Sequence, residues 1–564
     1  MTLQAPSTPL RSARNDLLLR FFRVSTQYLS PKISRLMRLV LTLLALTGLL
    51  AGAFVDPRGT DGTVPSENRL TITVHWNDVH QTLRGFGASG AWSTQFVGTW
   101  PSAKKNQIAD WLFSRAQGPD GHPKGIGLSI WRFNVGAGSA GQGEASGIRS
   151  KWRRAEGFLQ DVRDGKMIFD WSRQKGQRWF ARAAQERGVP TLIAFANSPP
   201  VELTKNGKAF GDGGGTANLP DRRFDEFARF LASVAQHFED EGLAFDYVSP
   251  VNEPQWNWSR DDNQEGSPYT NAELRRVVDE LNRALAARDL STQIEIPETA
   301  RLDFLYSEHT DSPRRDNQIE ELFGGEQPLQ ARSHVAPKVA AHSYFTTWPV
   351  ADLIRQREKV AEQMRATDPA LEYWMSEYCI LADNEEIEGP GRDLGMDPAL
   401  YVARVLHADL TIANASSWQW WLGISPGDFK DGLVYVDRST KALHDSKLLW
   451  GLGNYSYFLR PGAVRVGISR SDDTSRRARM RHGLMVSAYR SADEKRAIVV
   501  AVNQGTQART IRLRVEGAPE EGDRTWRPYV TSEATDLAPR SAVHGDTTVT
   551  VPARSIVTFV GSPQ

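Results

Sequence analysis

Eight short apolar runs that alternate with amphipathic stretches constrain the fold of this chain more than any other feature. The runs read LRGFGAS, IGLSIWRFNV, TLIAFANS, FDYVSPVN, QIEIPET, VAAHSYF, LEYWMSEYCIL and ASSWQWWLGIS. Between them lie segments with helical periodicity, such as DRRFDEFARFLASVAQHFEDEG and NAELRRVVDELNRALAARDL. Strands that alternate with helices pair in parallel, and eight of them close into a barrel. The sequence therefore predicts an α/β fold with a (β/α)8 TIM barrel over residues 81–458.

After the predicted barrel the pattern changes to alternation of apolar and polar residues. AVRVGISR, GLMVSAYR, AIVVAVNQ, TIRLRV and TVTVPARSIVTFVG have a period of two and are separated by turn-rich segments. Such a series predicts an antiparallel β-sandwich over residues 459–564. A strand at 68–80, beginning RLTITVHW, precedes the barrel. We expect it to join the sandwich and tie the two ends of the chain together.

The N-terminal region has the pattern of an export signal. Residues 1–55 begin with a basic segment and end in the uncharged run LVLTLLALTGLLAGAFV at 39–55. The AGA near its end fits a signal-peptidase site, and an uncleaved membrane anchor is the alternative. A polar linker follows at 56–67. In either case we expect the folded part to be exported, either secreted or periplasmic.

The charge balance excludes several classes of partner. The chain of 564 residues has 68 basic and 67 acidic residues, which gives a net charge of +1 at pH 7. Without a net basic field we expect no binding of nucleic acid and no membrane contact beyond the possible N-terminal anchor.

The single cysteine, Cys379, cannot form an intrachain disulfide, and we interpret it as a packed thiol. We expect a monomer.

Two glycine-rich stretches match the spacing of a dinucleotide-binding fingerprint but not its context. GFGASG at 85–90 and GAGSAG at 136–141 have the G-x-G-x-x-G spacing. That fingerprint needs a helix that begins at the third glycine, and Pro101 or further glycines oppose one here. The sequence contains no phosphate-binding loop, H-E-x-x-H pair or EF-hand loop. We therefore predict neither a cofactor nor a bound metal ion.

Two glutamates stand at predicted strands of the barrel. In FDYVSPVNEPQWNW, Pro254 stops the strand and places Glu253 at its carboxyl end. In LEYWMSEYCIL, Glu377 interrupts a run suited to burial, where an unpaired carboxylate is costly. Pairing of each glutamate with an arginine is the alternative. Because barrel active sites lie at the carboxyl ends of the strands, two such residues favour paired-carboxylate chemistry.

Eight segments, in order along the chain, resemble glycoside hydrolase family 30. They are GFGASGAWS, WRFNVGAGS, ANSPP, SPVNEPQW, AHSYF, WMSEYCI, SSWQWW and LGNYSYFLRPGAVRV. The resemblance covers about 68–560 and implies a barrel with a side β-sandwich built from both chain ends. It also implies a retaining O-glycosyl hydrolase that cleaves a β-linked polysaccharide or oligosaccharide by double displacement.

The resemblance assigns catalytic and binding roles to particular residues. Glu253 would be the general acid and base, and Glu377 would be the nucleophile. Asn252 would bond the sugar 2-hydroxyl. Tyr344 would donate to Glu377, and Arg132 would supply positive charge beside the nucleophile.

Aromatic side chains near these residues are candidate sugar contacts. Alternation along ASSWQWWLGIS sends Trp418 and Trp420 to one strand face and Trp421 to the other. We place Trp418 under the sugar at the cleaved bond and Trp420 next to it. Trp256, just after the predicted acid, is a candidate subsite wall, with loop packing as the alternative.

Two polar residues and the choice of substrate complete the expectations. Asn197, at the end of the third strand, is expected to reach the substrate, and His342 is either a site residue or a hydrogen-bonded core histidine. Within the family, the opening GFGASGAW is most similar to the endo-β-1,6-galactanase-like group. The alternatives are β-1,6-glucanase, xylanase or xylosidase, β-fucosidase and glucosylceramidase-like activity, or a glycan-binding protein without catalysis.

Overall fold

The structure is a computed structural model that describes residues 70–381, 384–518, 524–545 and 548–563. These residues belong to one compact unit, Arg69–Gln564. The predicted export signal and linker lie outside the described residues. Within the described ranges, no helix is both long and apolar enough to cross a membrane.

The secondary structure of the described residues consists of short elements in regular succession. The strands are β1 (Leu70–Thr82), β2 (Gly85–Ser89), β3 (Ile130–Asn134), β4 (Leu159–Arg163), β5 (Lys166–Phe169), β6 (Thr191–Phe195), β7 (Tyr247–Ser249), β8 (Gln293–Thr299), β9 (Val335–His342), β10 (Glu372–Tyr378), β11 (Ala415–Ser425), β12 (Gly432–Val436), β13 (Leu443–His444), β14 (Val464–Arg470), β15 (Leu484–Arg490), β16 (Ala497–Asn503), β17 (Arg509–Glu516), β18 (Arg524–Ser532), β19 (Thr535–Pro539), β20 (Val543–His544), β21 (Thr548–Val551) and β22 (Ser555–Pro563). The α-helices are α1 (Thr94–Val97), α2 (Ser102–Phe113), α3 (Ser139–Gln142), α4 (Lys175–Glu186), α5 (Phe224–Asp240), α6 (Asn271–Ala286), α7 (Asp303–Tyr306), α8 (Gln318–Phe323), α9 (Val350–Thr367), α10 (Met396–Thr411), α11 (Lys447–Ser456) and α12 (Arg476–His482).

Eight parallel strands form a closed barrel, which confirms the predicted fold. Their order around the barrel is β2, β3, β6, β7, β8, β9, β10 and β11, and β11 closes the ring on β2. Each of the eight apolar runs in the sequence overlaps one of these strands. β12 and β13 extend the sheet outward from β11.

Side chains on the barrel strands alternate between the interior and the helical layer. On β3, Ile130 faces the interior, where it packs with Ile193, Ala340 and Trp374. The next residue, Trp131, packs outward on the rings of Phe113 and Phe180 in the surrounding helices. Because every second residue faces inward, residues near the carboxyl ends of the strands converge on one mouth.

The outer helices cover the barrel with apolar stripes. In α5 the buried residues Phe227, Phe230, Leu231 and Val234 recur at helical spacing on one face. α6 begins with a capping box between Thr270 and Glu273, in which each side chain accepts from the backbone N–H of the other.

The C-terminal strands form the β-sandwich, and β1 joins them as expected. β1 pairs antiparallel with β14 and parallel with β17, within a ten-stranded sheet. Ile72, Val74 and Trp76 alternate along β1 into the sandwich core. The two ends of the described chain are therefore held in one sheet.

A buried ion pair ties two outer helices to the barrel. Arg357 Nε in α9 donates to Asp409 Oδ1 in α10 at 2.8 Å, and both side chains are fully buried. Asp409 Oδ2 accepts from the indole N–H of Trp418 on β11 at 2.9 Å. Arg357 Nη2 also donates to Ser343 Oγ, just after β9. One carboxylate and one guanidinium thus connect two helices and two strands.

We expect the substitution Asp409→Ala to lower the free energy of unfolding by about 3–5 kcal/mol, because it leaves a buried guanidinium without its partner. Urea denaturation followed by tryptophan fluorescence measures this loss. Glu358→Ala is the control, since it breaks the exposed pair with Arg476 and should cost no more than about 1 kcal/mol. Equal effects of the two substitutions would contradict the importance of the buried pair.

Candidate active site

Glu253 enters the barrel mouth from the loop after β7. Its backbone is left-handed, with φ 48°. Its N–H donates to the carbonyl oxygen of Glu298 at 2.8 Å. Its own carbonyl oxygen accepts from the indole N–H of Trp258 at 3.2 Å. These bonds fix the turn and leave the Glu253 side chain 12% exposed at the mouth.

Glu377 lies on β10 between a cation and a phenol. Arg132 Nη1, on β3, donates to Glu377 Oε2 at 2.7 Å. The hydroxyl of Tyr344, which follows β9, donates to Glu377 Oε1 at 2.9 Å. The pairing of β10 with β9 is irregular between Met375 and Glu377, so that the side chains of both Ser376 and Glu377 reach partners inside the barrel.

The two glutamates converge across a short gap. One carboxylate oxygen of Glu253, one of Glu377 and a ring nitrogen of His342 all lie within 4.8 Å of one another. Retaining glycosidases hold their two carboxyl groups about 5–5.5 Å apart, whereas inverting enzymes need about 6.5–9.5 Å to admit a water molecule. An oxygen–oxygen approach within 4.8 Å is shorter than the inverting separation and is compatible with the retaining one.

His342 bridges the carboxylates as a cation. Its Nδ1 lies 3.0 Å from Glu253 Oε1 and its Nε2 lies 2.8 Å from Glu298 Oε2. Burial opposes a charge on the ring, but the negative charge of Glu377 and these two hydrogen bonds raise the pKa of His342 to about 10. Both ring nitrogens then donate, one to each of these carboxyl groups. The two interpretations of the sequence therefore hold together, because His342 is a buried, hydrogen-bonded histidine and also contacts Glu253 of the site.

Glu298, at the end of β8, is a site residue that the sequence reasoning missed. It is fully buried and accepts from His342 and from Ser376 Oγ at 2.7 Å. Burial would raise the pKa of Glu298, but Arg132, His342 and Ser376 lower it to about 2. The available signal was the same as for Glu377, namely carboxylates inside the apolar run QIEIPET.

The site keeps its charges nearly balanced. Arg132 and His342 carry two positive charges against the carboxylates of Glu298 and Glu377. Burial raises the pKa of Glu253, although the hydrogen bond and charge of His342 act in the opposite direction. The raised pKa favours a protonated Glu253, as a general acid requires, while the carboxyl group of Glu377 is paired with the Arg132 guanidinium.

The placement of Trp418 and Trp420 under the sugar is wrong. Both side chains are fully buried, and both indole N–H groups bond to residues outside the barrel strands. The Trp418 indole N–H bonds to Asp409 of α10, and that of Trp420 donates to the carbonyl oxygen of Asp431 at 2.8 Å. Alternation does separate these rings from Trp421, but they bond to α10 and to the segment between β11 and β12, so Trp421 has the inward face.

An aromatic wall at the mouth starts from Trp421. The Trp421 ring is half-buried and contacts Trp92 edge-on at 5.3 Å and Phe195 at 6.3 Å. The guanidinium of Arg132 lies 4.4 Å over the Phe195 ring. The wall therefore extends to the arginine that binds Glu377. Trp92 and Phe195 were not singled out from the sequence, since nothing in their local pattern separates them from core aromatics.

Three further predicted residues lie at the carboxyl ends of barrel strands or in the loops that follow. The side-chain amide of Asn197 is buried and both of its polar atoms lack a partner among the described residues. Oδ1 of Asn252 is likewise buried and unpaired within the described ranges. Trp256 is half-buried and lies parallel to Phe345, with ring centroids 6.4 Å apart. A buried amide without a hydrogen-bond partner is costly unless a ligand supplies the partner. These two asparagines are therefore suited to form hydrogen bonds with sugar hydroxyls.

Comparison with known families agrees with this geometry. The family model described as O-glycosyl hydrolase family 30 matches residues 69–435. The chain belongs to glycoside hydrolase family 30. A second model, described as the family 30 beta sandwich domain, matches residues 462–559, which contain β14 to β21 and most of β22. The chain therefore combines a family 30 barrel with the β-sandwich of the same family.

Three similar proteins carry informative descriptions. This family 30 chain is 28% identical to an endo-β-1,6-galactanase of Hypocrea rufa over 242 residues, which cover 40% of the chain and 48% of the relative. It is 30% identical to an exo-β-1,6-galactobiohydrolase of Bifidobacterium longum over 145 residues, 25% of the chain and 9% of the relative. The match thus spans about half the length of the first curated relative and less of the second. A conserved exported protein from Bacteroides fragilis has a solved structure with a TM-score of 0.81 and 34% identity, covering 87% of this chain and 100% of that one.

The charge state of His342 predicts how stability depends on pH. The unfolded chain releases the histidine proton near pH 6.5, whereas the folded protein keeps it to about pH 10. The contribution of His342 to the free energy of unfolding is therefore fully present below pH 6.5 and is lost as the pH rises from 6.5 to about 10. Each unit of pKa shift corresponds to about 1.4 kcal/mol, so the slope is measurable as a falling unfolding midpoint. His342→Gln should flatten that slope, and His75→Gln in β1 is the control. A variant at position 342 with the wild-type slope would contradict the cationic histidine.

Proposed function

We propose that the protein is a retaining endo-β-1,6-galactanase with Glu377 as nucleophile and Glu253 as general acid and base. The observation that carries the mechanism is the approach of the two carboxylates to within 4.8 Å. The substrate rests on the two curated relatives, of which one is named an endo-β-1,6-galactanase and the other an exo-β-1,6-galactobiohydrolase.

In the first step, a carboxylate oxygen of Glu377 attacks the anomeric carbon of the bound sugar. Glu253 gives its proton to the glycosidic oxygen as the carbon–oxygen bond breaks, and the leaving chain departs as an alcohol. The sugar remains on Glu377 as an ester. Arg132 and Tyr344 orient the Glu377 carboxylate for this attack through bonds of 2.7 and 2.9 Å.

In the second step, a water molecule takes the place of the leaving chain. Glu253, now ionised, removes a proton from the water as its oxygen attacks the anomeric carbon. The bond to Glu377 breaks, Glu377 regains its carboxylate, and Glu253 is protonated again. Two inversions at the same carbon restore the β configuration.

His342 serves both steps because it lies between the two glutamates. In the first step one negative charge leaves Glu377 and appears on Glu253, and in the second step it returns. The histidine ring is 3.0 Å from Glu253 Oε1 and 3.6 Å from Glu377 Oε1. A fixed cation in contact with both carboxyls stabilises the charge in either place without rearrangement.

The substrate contacts that we propose surround these groups. Asn252 bonds the 2-hydroxyl of the sugar at the cleaved bond, and Asn197 bonds another hydroxyl, since both have unpaired buried amide atoms. Trp421 takes the sugar-facing place that Trp418 cannot occupy. Trp256 lines the mouth beside the acid.

We also propose that the enzyme acts outside the cytoplasm. The support is the apolar run at 39–55 and the similarity to a structure described as a conserved exported protein. Fractionation of cells that produce the full chain checks this placement, and retention in the cytoplasm would contradict it.

Glu377→Gln should abolish hydrolysis of β-1,6-galactan, because an amide cannot form the glycosyl ester. Reducing-end release and product sizing measure the reaction, and wild-type enzyme should give a series of oligosaccharides with the β anomer formed first in proton NMR. Glu372→Gln is the matched control, since this residue lies at the other end of β10 and pairs with Arg84. It should retain activity.

The same assay separates the alternatives. Turnover of β-1,6-glucan or xylan with β-1,6-galactan left intact would replace the proposed substrate but keep the mechanism. Binding of glycan by wild-type protein without any turnover would favour a glycan-binding protein. Products with the α anomer formed first would contradict the double displacement.

Glu253→Ala should slow a β-1,6-galactobioside with a sugar leaving group by about 10²–10⁴-fold, the usual contribution of general acid catalysis. A dinitrophenyl glycoside, which needs no proton on its leaving group, should form the glycosyl enzyme at nearly the wild-type rate. Azide should then accelerate turnover of the activated substrate, since it needs no general base. Equal loss on both substrates would be inconsistent with the acid role.

A further inference from the structure

Phe345 is exposed at the mouth of the barrel, in an unusual place for a large apolar side chain. Among the described residues, the exposed large hydrophobic side chains are Val79, Phe345 and Leu381. Phe345 is 45% exposed and follows β9. It directly follows Tyr344, whose hydroxyl binds Glu377. An exposed aromatic ring therefore lies beside Tyr344, with the two ring centroids 6.4 Å apart.

The backbone of Phe345 is strained. Its φ is 59°, in the left-handed region that bulky residues rarely adopt. Such a conformation costs about 1–3 kcal/mol and persists mainly where the surroundings, or a function such as a ligand clamp, maintain it. The exposed ring gains little burial to offset this cost. The strain thus accompanies an outward-facing ring, which points to a role in binding.

Trp256 provides a second aromatic face beside Phe345. The two rings are nearly parallel, with an angle of 10° and centroids 6.4 Å apart. The Trp256 backbone N–H donates to the carbonyl oxygen of Glu253 at 3.0 Å, and its indole N–H lies 3.4 Å from Asp262 Oδ1. The loop that carries the candidate acid therefore also positions this ring. Trp256 and Phe345 together are called the aromatic pair below.

The side of the site on which the aromatic pair lies decides which sugar it can meet. The acid must touch the oxygen of the leaving group, so the leaving chain extends toward the Glu253 loop. The wall of Trp92, Phe195 and Trp421 instead adjoins Arg132, which binds the nucleophile. The sugar that becomes attached to Glu377 faces Trp421, since Phe195 and Trp92 are buried behind it, and the chain that departs faces the aromatic pair.

We propose that Trp256 and Phe345 form the subsite for the leaving-group sugar, where the apolar face of its ring lies on the aromatic pair. This inference rests on the proposed function and specifies how that site takes its substrate. A 1,6-linkage has one more rotatable bond than linkages to a ring hydroxyl, so its next sugar is poorly oriented in solution. A flat apolar surface beside the acid restricts that sugar and offsets the entropy lost on ordering it. Cleavage within a chain always places a sugar at this position.

Phe345→Ala tests the subsite with two substrates that differ only in the leaving group. For β-1,6-galactotetraose we expect kcat/KM to fall about 10- to 100-fold, the usual effect of losing one buried aromatic contact. For β-1,6-galactobiosyl fluoride, which places no sugar on the leaving side, we expect a change of no more than about twofold. Phe345→Tyr should restore the tetraose activity because it keeps the flat ring. Val79→Ala, at an exposed apolar residue of β1, is the matched control.

A transfer assay gives an independent measure. With galactobiosyl fluoride as donor and β-1,6-galactobiose as acceptor, Phe345→Ala should form less transfer product at equal fluoride release, because the acceptor binds in the leaving-group subsite. Equal loss of activity on tetraose and fluoride, or unchanged transfer, would overturn the subsite. If wild-type enzyme cleaves another β-glycan instead, the proposed substrate fails. The same pair of measurements with that glycan and its glycosyl fluoride then decides the subsite separately.

Discussion

A protonated histidine enclosed by carboxylates is the interaction on which the site depends. Burial disfavours the charge on His342, so the cation persists only because the charges of Glu298 and Glu377 and the hydrogen bonds to Glu253 and Glu298 offset that cost. Arg132 balances the remaining negative charge from the opposite side. Loss of any one member leaves an uncompensated charge in the interior, which costs more than the pair contributes. The network therefore exists as a unit, and its geometry fixes the gap in which a sugar can react.

The barrel supplies this network from rigid strands and supplies the sugar contacts from loops. Arg132 lies on β3, His342 on β9 and Glu377 on β10, so hydrogen bonds between neighbouring strands hold the charged groups in place. Trp256 and Phe345 lie on the segments that follow strands. The residues that carry out the reaction are thus fixed by the sheet, while the residues that contact the rest of the glycan lie in loops, whose sequence can vary.

The sequence predicted the parts of the molecule that depend on periodicity. Alternating runs identified all eight barrel strands, and Pro254 placed Glu253 at a strand end. The face of a strand was harder to predict, because alternation separates Trp418 from Trp421 but does not say which side the helices cover. Asp409, on a separate helix, decides that question. Glu298 was overlooked although it stands in an apolar run as Glu377 does, and the exposed position of Phe345 depends on a backbone conformation that no sequence pattern indicates.

The pairing of β1 with β14 and β17 has a consequence for the order in which the molecule can form. Thr71 and Ser471, which are hydrogen-bonded partners, are 400 positions apart. The barrel can assemble as the ribosome delivers each strand and helix, but β1 has no sheet to enter until the final hundred residues have emerged. Until then its edge stays open to pairing with other chains. A chain truncated before β14 would therefore contain the whole barrel, but the unpaired edges of β1 could pair with other chains.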